Sequence, residues 1–308
     1  MAILFPVLLM ETGSEQPPPG SPFWYEIAEN GIFVAKRSGV VHSLTPVSSG
    51  GIPGLASREP SADLCVDMLP VEQLAVILHF FHYIYETLHT EVNLLLYYNS
   101  QTNEWFPYCP DQTVTEGSVQ KYDNDVVIPG YDKIGTIHSH GNFGAFHSHT
   151  DHKDESGLDG LHAVVSRVSS GHPEIVMSIV INGHVFDKDP TDYFRGLVWE
   201  DVQETFVPPP VKRTPMPSRS RAPLPASKWG FTEILGMFMT SQRSLPPLPI
   251  ELAPPAPATI IRTRRRLTLQ LPEGTTITDF PFPKEWLERV YTTQRPKTVV
   301  VVKAEEED

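Results

Sequence analysis

The chain has 308 residues, 40% of them hydrophobic and 10% aromatic, which is enough to build a sizeable core, and its formal net charge is −13. Cys65 and Cys109 are its two cysteines and show no metal-like pairing, which excludes a disulfide framework and points to a reducing, cytoplasmic setting. The 31 prolines are about twice the usual share, so part of the chain is expected to stay unpacked.

The opening MAILFPVLLM is apolar, but it lacks a basic start and a small-residue cleavage site and is far too short to span a membrane. It reads as a buried strand. WYEIA and GIFVAKRSGVVHSL follow as strands around a turn at Ala28 to Gly31, then a Ser/Gly/Pro loop, so residues 1–62 are expected to form a small β-rich unit. From Leu69 the pattern becomes helical through LPVEQLAVILHFFHYIYETLHT, with Pro70 at a first-turn position. The apolar run EVNLLLYYN is a strand, and EWFPYCP is its returning partner.

The next stretch, GTIHSHGNFGAFHSHTD over Gly135 to Asp151, concentrates chemistry. An extended GTIHSH segment puts residues i and i+2 on one face, so the imidazoles of His138 and His140 point the same way. Ser148 and Asp151 fit the first turn of a helix, with serine a favoured N-cap. Two imidazole nitrogens and a carboxylate oxygen are ligands that zinc accepts, and a catalytic zinc keeps a fourth position open for water. Such a site also needs a carboxylate near the metal to carry a proton. Glu91 is favoured because it stands directly before a buried run, but the residues alone leave Glu86 and Glu104 open. His147, His149 and His152 crowd the same segment and read as neighbours of the ligands or as surface residues; His79, His82 and His89 read as helix-packing or surface residues. Asp154, Glu155 and Asp159 read as a solvated polar stretch.

Farther on, LHAVVSRV is a strand, and EIVMSIVI and HVFDKD flank Asn182-Gly183, the strongest hairpin signal in the chain. Charge then changes sign. Between Asp63 and Glu204 there are 22 Asp/Glu against 6 Lys/Arg, whereas Val207 to Arg266 carries 10 Lys/Arg against Glu233 and Glu251. An acidic body argues against nucleic acid as its substrate. Residues 207–258, rich in proline, read as a basic linker containing one short amphipathic segment, KWGFTEILGMFM. Residues 259–308 are expected to form a small C-terminal α/β segment, with strands TIIRTRRRLTLQL and TVVVVK around a KEWLERVY helix.

His138-Ser-His140, seven residues, Ser148, two residues and Asp151, preceded by a glutamate at a helix-to-strand junction, resemble the motif of the JAMM (MPN+) zinc metallopeptidases. The resemblance covers about residues 63–206 and extends to GLHAVVSRV and SIVINGHVFDKDP, which resemble the closing strands of the prokaryotic JAB subgroup. It implies a mixed α/β fold, a curved mixed sheet flanked by helices on both sides. It implies one Zn2+ per chain on His138, His140 and Asp151, with Glu91 activating the zinc-bound water and Ser148 donating to the oxyanion. Gly141-Asn142 departs from the proline that many members carry after the second histidine. A β-rich piece before such a domain is similar to the A-type proteins of the PRTRC cassette, whose neighbours are E1-like (ThiF-type) and E2-like proteins. The implied activity is hydrolysis of an amide or isopeptide bond at the C-terminal tail of a ubiquitin-like or sulfur-carrier-like protein. The alternatives are a non-catalytic MPN-type scaffold module and a zinc hydrolase of small peptide conjugates.

Overall fold

The computed structural model describes residues 5–11, 20–115, 118–142, 144–146, 157–169, 172–206 and 260–292. The chain divides into two compact units, one made of Met1–Glu200 with Arg265–Asp308 and the other of Asp201–Arg264. In the second unit the described residues are the outer ends of two paired strands, β14 (Leu197–Phe206) and β15 (Ile260–Leu269). The linker residues 207–258, with their amphipathic segment, and the terminal TVVVVK lie outside the described residues.

The first unit opens with a five-stranded sheet: β1 (Val7–Leu9), β2 (Phe23–Ile27), β3 (Ile32–Ser38), β4 (Val41–Ser48) and β5 (Ser61–Leu64), in that spatial order. The alternation along β2 to β4 turns Trp24, Phe33, Ala35 and Leu44 onto one face, where they close a small core with Met10 and Ala28. The opening run is an edge strand parallel to β2 and is not buried: Val7 and Leu9 remain 56% and 52% exposed.

Helix α1 (Val71–Leu88) forms where the helical period predicts it, starting after Pro70. It ends at His89, whose left-handed φ of 53° lets its N–H donate to the Tyr85 carbonyl at 3.0 Å. Its apolar stripe, Leu74, Ile77, Leu78, Phe80, Phe81 and Ile84, lies on a six-stranded mixed sheet. That sheet contains β6 (Asn93–Asn99), β7 (Glu104–Tyr108), β10 (Asp132–Ser139), β11 (Gly160–Ser166), β12 (Glu174–Ile181) and β13 (His184–Lys188). Their order is β13-β12-β11-β10-β6-β7, with the β10–β11 pair parallel and the others antiparallel. Leu94, Leu96, Ile137, Leu161, Ala163, Val165 and Met177 meet the helix. Between β12 and β13, Asn182 and Gly183 both take positive φ, 52° and 77°, as the hairpin signal requires.

Two further strands, β8 (Gln112–Thr115) and β9 (Ser118–Tyr122), join β16 (Val290–Thr292) in a three-stranded sheet. The KEWLERVY segment supplies only one helical turn, α2 (Glu285–Glu288), before β16 begins. Trp286 packs edge-on against Phe80, with centroids 5.1 Å apart, so this late segment completes the core under α1.

The expected fold, a JAB-type sheet flanked by helices on both sides, is therefore corrected. The described chain is mostly β, spread over several sheets, with two α-helices, and a single long helix covers one face of the central sheet. Only Val71–Leu88 sustains a helical period among the described residues. QTVT, SVQKY and LVWEDVQETF alternate instead, with β-branched residues, and they pair as strands.

Candidate metal centre

Strand β10 carries the histidines, and its register sets their surroundings. Past the irregularity between Lys133 and Gly135, Ile137 joins the core under α1, while Thr136, His138 and, just beyond the strand, His140 alternate onto the opposite face. On β6, His138 is paired with Asn93, and the Ser139 amide donates to the Val92 carbonyl at 3.0 Å. The ladder ends at this pair, and Glu91 lies two residues before Asn93, in the link that leads from α1 into β6. On β11, Val164 lies beside His138; the His140 amide donates to the Val165 carbonyl at 2.7 Å, so Ser166 lies beside His140.

The two imidazoles converge. Their Nε2 atoms are 3.1 Å apart and their ring centroids 5.0 Å apart. Two zinc–nitrogen bonds of about 2.0–2.1 Å at a tetrahedral angle hold their nitrogens about 3.3 Å apart, close to this spacing, which is also that of an N–H···N hydrogen bond between the rings. His140 is buried at 6% exposure and His138 is half-buried. Phe146 stands edge-on to His140, with centroids 5.4 Å apart.

Glu91 is half-buried in the short link between α1 and β6. The two other candidate glutamates are differently placed. The Glu86 carboxylate accepts from the Ser169 hydroxyl at 2.5 Å, and Glu104 pairs with Asn99 at the far end of β6. Ser148 and Asp151 lie outside the described residues, as do His147, His149 and His152. Among the described residues no cluster of three or more metal-ligating side chains is present. On α1, the His79 Nδ1–H donates to the Phe280 carbonyl at 3.0 Å, a packing role.

Gly141, where the resemblance leads one to expect proline, has a structural cause. Its φ is +55°, and a Cβ there would lie 2.5 Å from the Tyr85 ring, so the α1 side chain fills the space that any larger residue would need. The turn is tied to the next connection, since the Val168 amide donates to the Gly141 carbonyl at 3.1 Å and the Ser169 amide to Asn142 Oδ1 at 3.3 Å.

Several polar residues on this face were not singled out in the sequence. The Thr136 hydroxyl donates to His162 Nδ1 at 2.9 Å, and the His162 Nε2–H donates to the Leu158 carbonyl at 2.9 Å. His162 thereby ties the sheet to the end of the connection on which Ser148 and Asp151 reside. Where β7 has ended, the Gln112 side chain takes its place beside β6: its Oε1 accepts from the Asn93 amide and its Nε2 donates to the Asn93 carbonyl, both at 2.8 Å. Asn93 Nδ2, Ser166 Oγ and Ser178 Oγ are buried on the histidine face with no hydrogen-bond partner among the described residues. The one sequence signal for Asn93 is a carboxamide opening an otherwise apolar run.

A cleft of about 440 Å³ lined by Phe23, Tyr25, Lys36, Asn182 and His184 shares no residue with this face. Comparison with family models and with curated proteins finds no match to this chain.

Proposed function

We propose that the chain is a zinc-dependent hydrolase of the JAMM type, cleaving an amide or isopeptide bond at the C-terminal tail of a ubiquitin-like or sulfur-carrier-like protein. The observation that carries this reading is the convergence of His138 and His140 Nε2 to 3.1 Å on a strand beside the one that Glu91 precedes. The donor set also suits the metal, because imidazole and carboxylate are zinc ligands and buried, unpartnered polar groups surround the pair. His138, His140 and Asp151 would hold the zinc. When bound, zinc polarises the scissile carbonyl and lowers the pKa of water to about 7.

Every other task falls to side chains. Glu91 accepts a proton from the attacking water and returns it to the leaving amine, which needs a carboxylate close to the metal and not bonded to it. Ser148 donates to the oxygen that becomes negative as the carbonyl carbon turns tetrahedral. The extended tail of the substrate lies along a sheet edge, where backbone hydrogen bonds select chain over side chain. An E1-like and an E2-like protein are the partners that such a substrate implies, and the cytoplasm is the setting. No helix among the described residues is long and apolar enough to cross a membrane.

The test combines zinc content with cleavage of ubiquitin-like and sulfur-carrier-like fusions by wild type, Glu91→Gln and Asp151→Ala. Wild type should carry one zinc and cleave a fusion. Glu91→Gln should keep the metal and lose turnover by about 10²–10⁴-fold, the range for general acid–base groups. Full activity in Glu91→Gln refutes the mechanism. Zinc without cleavage of any fusion, but with release of amino acids from short conjugates, moves the substrate to small peptides. A wild type that binds no zinc leaves the scaffold reading.

A further inference from the structure

Asn93 is 4% exposed, and its Nδ2 is a buried donor without an acceptor among the described residues. Such a group costs stability, because the hydrogen bonds it gave up to water are not replaced. The backbone around it is nevertheless held firmly, with Gln112, itself 1% exposed, bonding both its N–H and its carbonyl at 2.8 Å. The fold thus fixes the position of a carboxamide whose donor end does nothing for the fold. Across the ladder Asn93 is paired with His138, and Glu91 lies two residues before it, in the link that leads into β6. Residues opposite one another at a ladder place their Cβ atoms about 4.5–5.5 Å apart on a shared face. Asn93 and His138 therefore share one face of the sheet, and the His138 Nε2 lies 3.1 Å from that of His140.

A carboxylate that takes a proton and a carboxamide that gives a hydrogen bond are complementary neighbours for one water molecule. We infer that Asn93 is a catalytic residue that the zinc motif does not include: its carboxamide N–H holds the oxygen of the attacking water while Glu91 receives the proton. The inference rests on the hydrolase reading proposed above. Asn93 makes no covalent bond and loses no proton; it orients a lone pair away from itself and toward the scissile carbon.

The experiment compares wild type with Asn93→Ala and the near-isosteric Asn93→Leu in three readouts. The first is zinc stoichiometry and affinity by chelator competition, the second kcat and KM on a fusion that wild type cleaves, and the third the thermal midpoint of the metal-free proteins. Both variants should keep one zinc with affinity within about threefold of wild type. Their kcat should fall by about 10²-fold with KM within about threefold, as when one preorganised donor is removed. The metal-free Asn93→Leu protein should melt at or above the wild-type midpoint, because an unsatisfied buried donor has been replaced by an apolar group of similar shape. Unchanged kcat in both variants overturns the inference and leaves the hydrolase reading intact. A midpoint lowered in Asn93→Leu by more than about 3 °C, roughly 1 kcal/mol for a unit of this size, makes Asn93 structural and overturns it too. Wild type without zinc or without cleavage removes both.

Discussion

Single residues decide whether the histidine patch can form. Gly141 combines a φ of +55° with the Tyr85 ring at 2.5 Å from any Cβ. Gly141→Ala should therefore cost about 1–3 kcal/mol, combining left-handed strain and overpacking, read as a lower urea midpoint. Gln112 is a second such residue. Gln112→Leu removes both 2.8 Å bonds to the Asn93 backbone and strands a buried N–H and carbonyl, so unfolding should become easier by about 2–4 kcal/mol. The cysteines divide by environment. Burial pushes the Cys109 thiol up to about 12, whereas Cys65 is exposed with its Sγ 3.2 Å from His42 Nδ1. Native protein at pH 8 should take up one equivalent of a thiol reagent, at Cys65, and denatured protein two. Because the folded Cys109 stays neutral where the unfolded thiol ionises, its contribution is complete below about pH 9 and is lost as the pH rises toward 12. A midpoint in urea that does not fall over that range would contradict this sign.

At the scale of elements, the strands that carry the patch were the most legible part of the chain. The alternation in GTIHSH put both imidazoles on one side of β10, and the apolar run from Asn93 gave β6 its length. The Asn182-Gly183 turn fixed the β12–β13 hairpin. Strand order was not legible, since the pairing of β10 with β6 on one side and β11 on the other depends on contacts distant in sequence. Gly135 records one of these: a Cβ there would meet the Leu161 carbonyl oxygen at 1.8 Å, so the close parallel approach of β11 requires glycine. The residues that the sequence hid, Asn93, Gln112 and Ser166, are polar groups on buried faces, which no period distinguishes from surface positions. The helices on both sides were expected by analogy with a family and not from a second helical period, and this is where the expectation failed.

At the scale of the whole molecule, the first unit is closed by residues far apart in the chain. Trp286 is 6% exposed, rests on Phe80, and its carbonyl accepts from the Cys109 thiol at 3.5 Å. Trp286→Ala should cost about 3–5 kcal/mol, and a chain cut before Arg265 should fail to give a cooperative melt, checked by calorimetry. The N-terminal sheet is tied to the central one by Asn182 Nδ2 donating to Thr45 Oγ1 at 2.9 Å, by the His184 Nε2–H donating to the Pro46 carbonyl at 3.1 Å, and by the Lys188–Asp63 ion pair. The account turns on whether the two histidines share one metal. Zinc K-edge X-ray absorption on the purified full chain measures this directly. It should show two imidazole nitrogens with oxygen neighbours at about 2.0–2.2 Å, and the imidazole signal should be lost in His138→Ala. A zinc-free protein, or a zinc spectrum that His138→Ala leaves unchanged, would contradict the account.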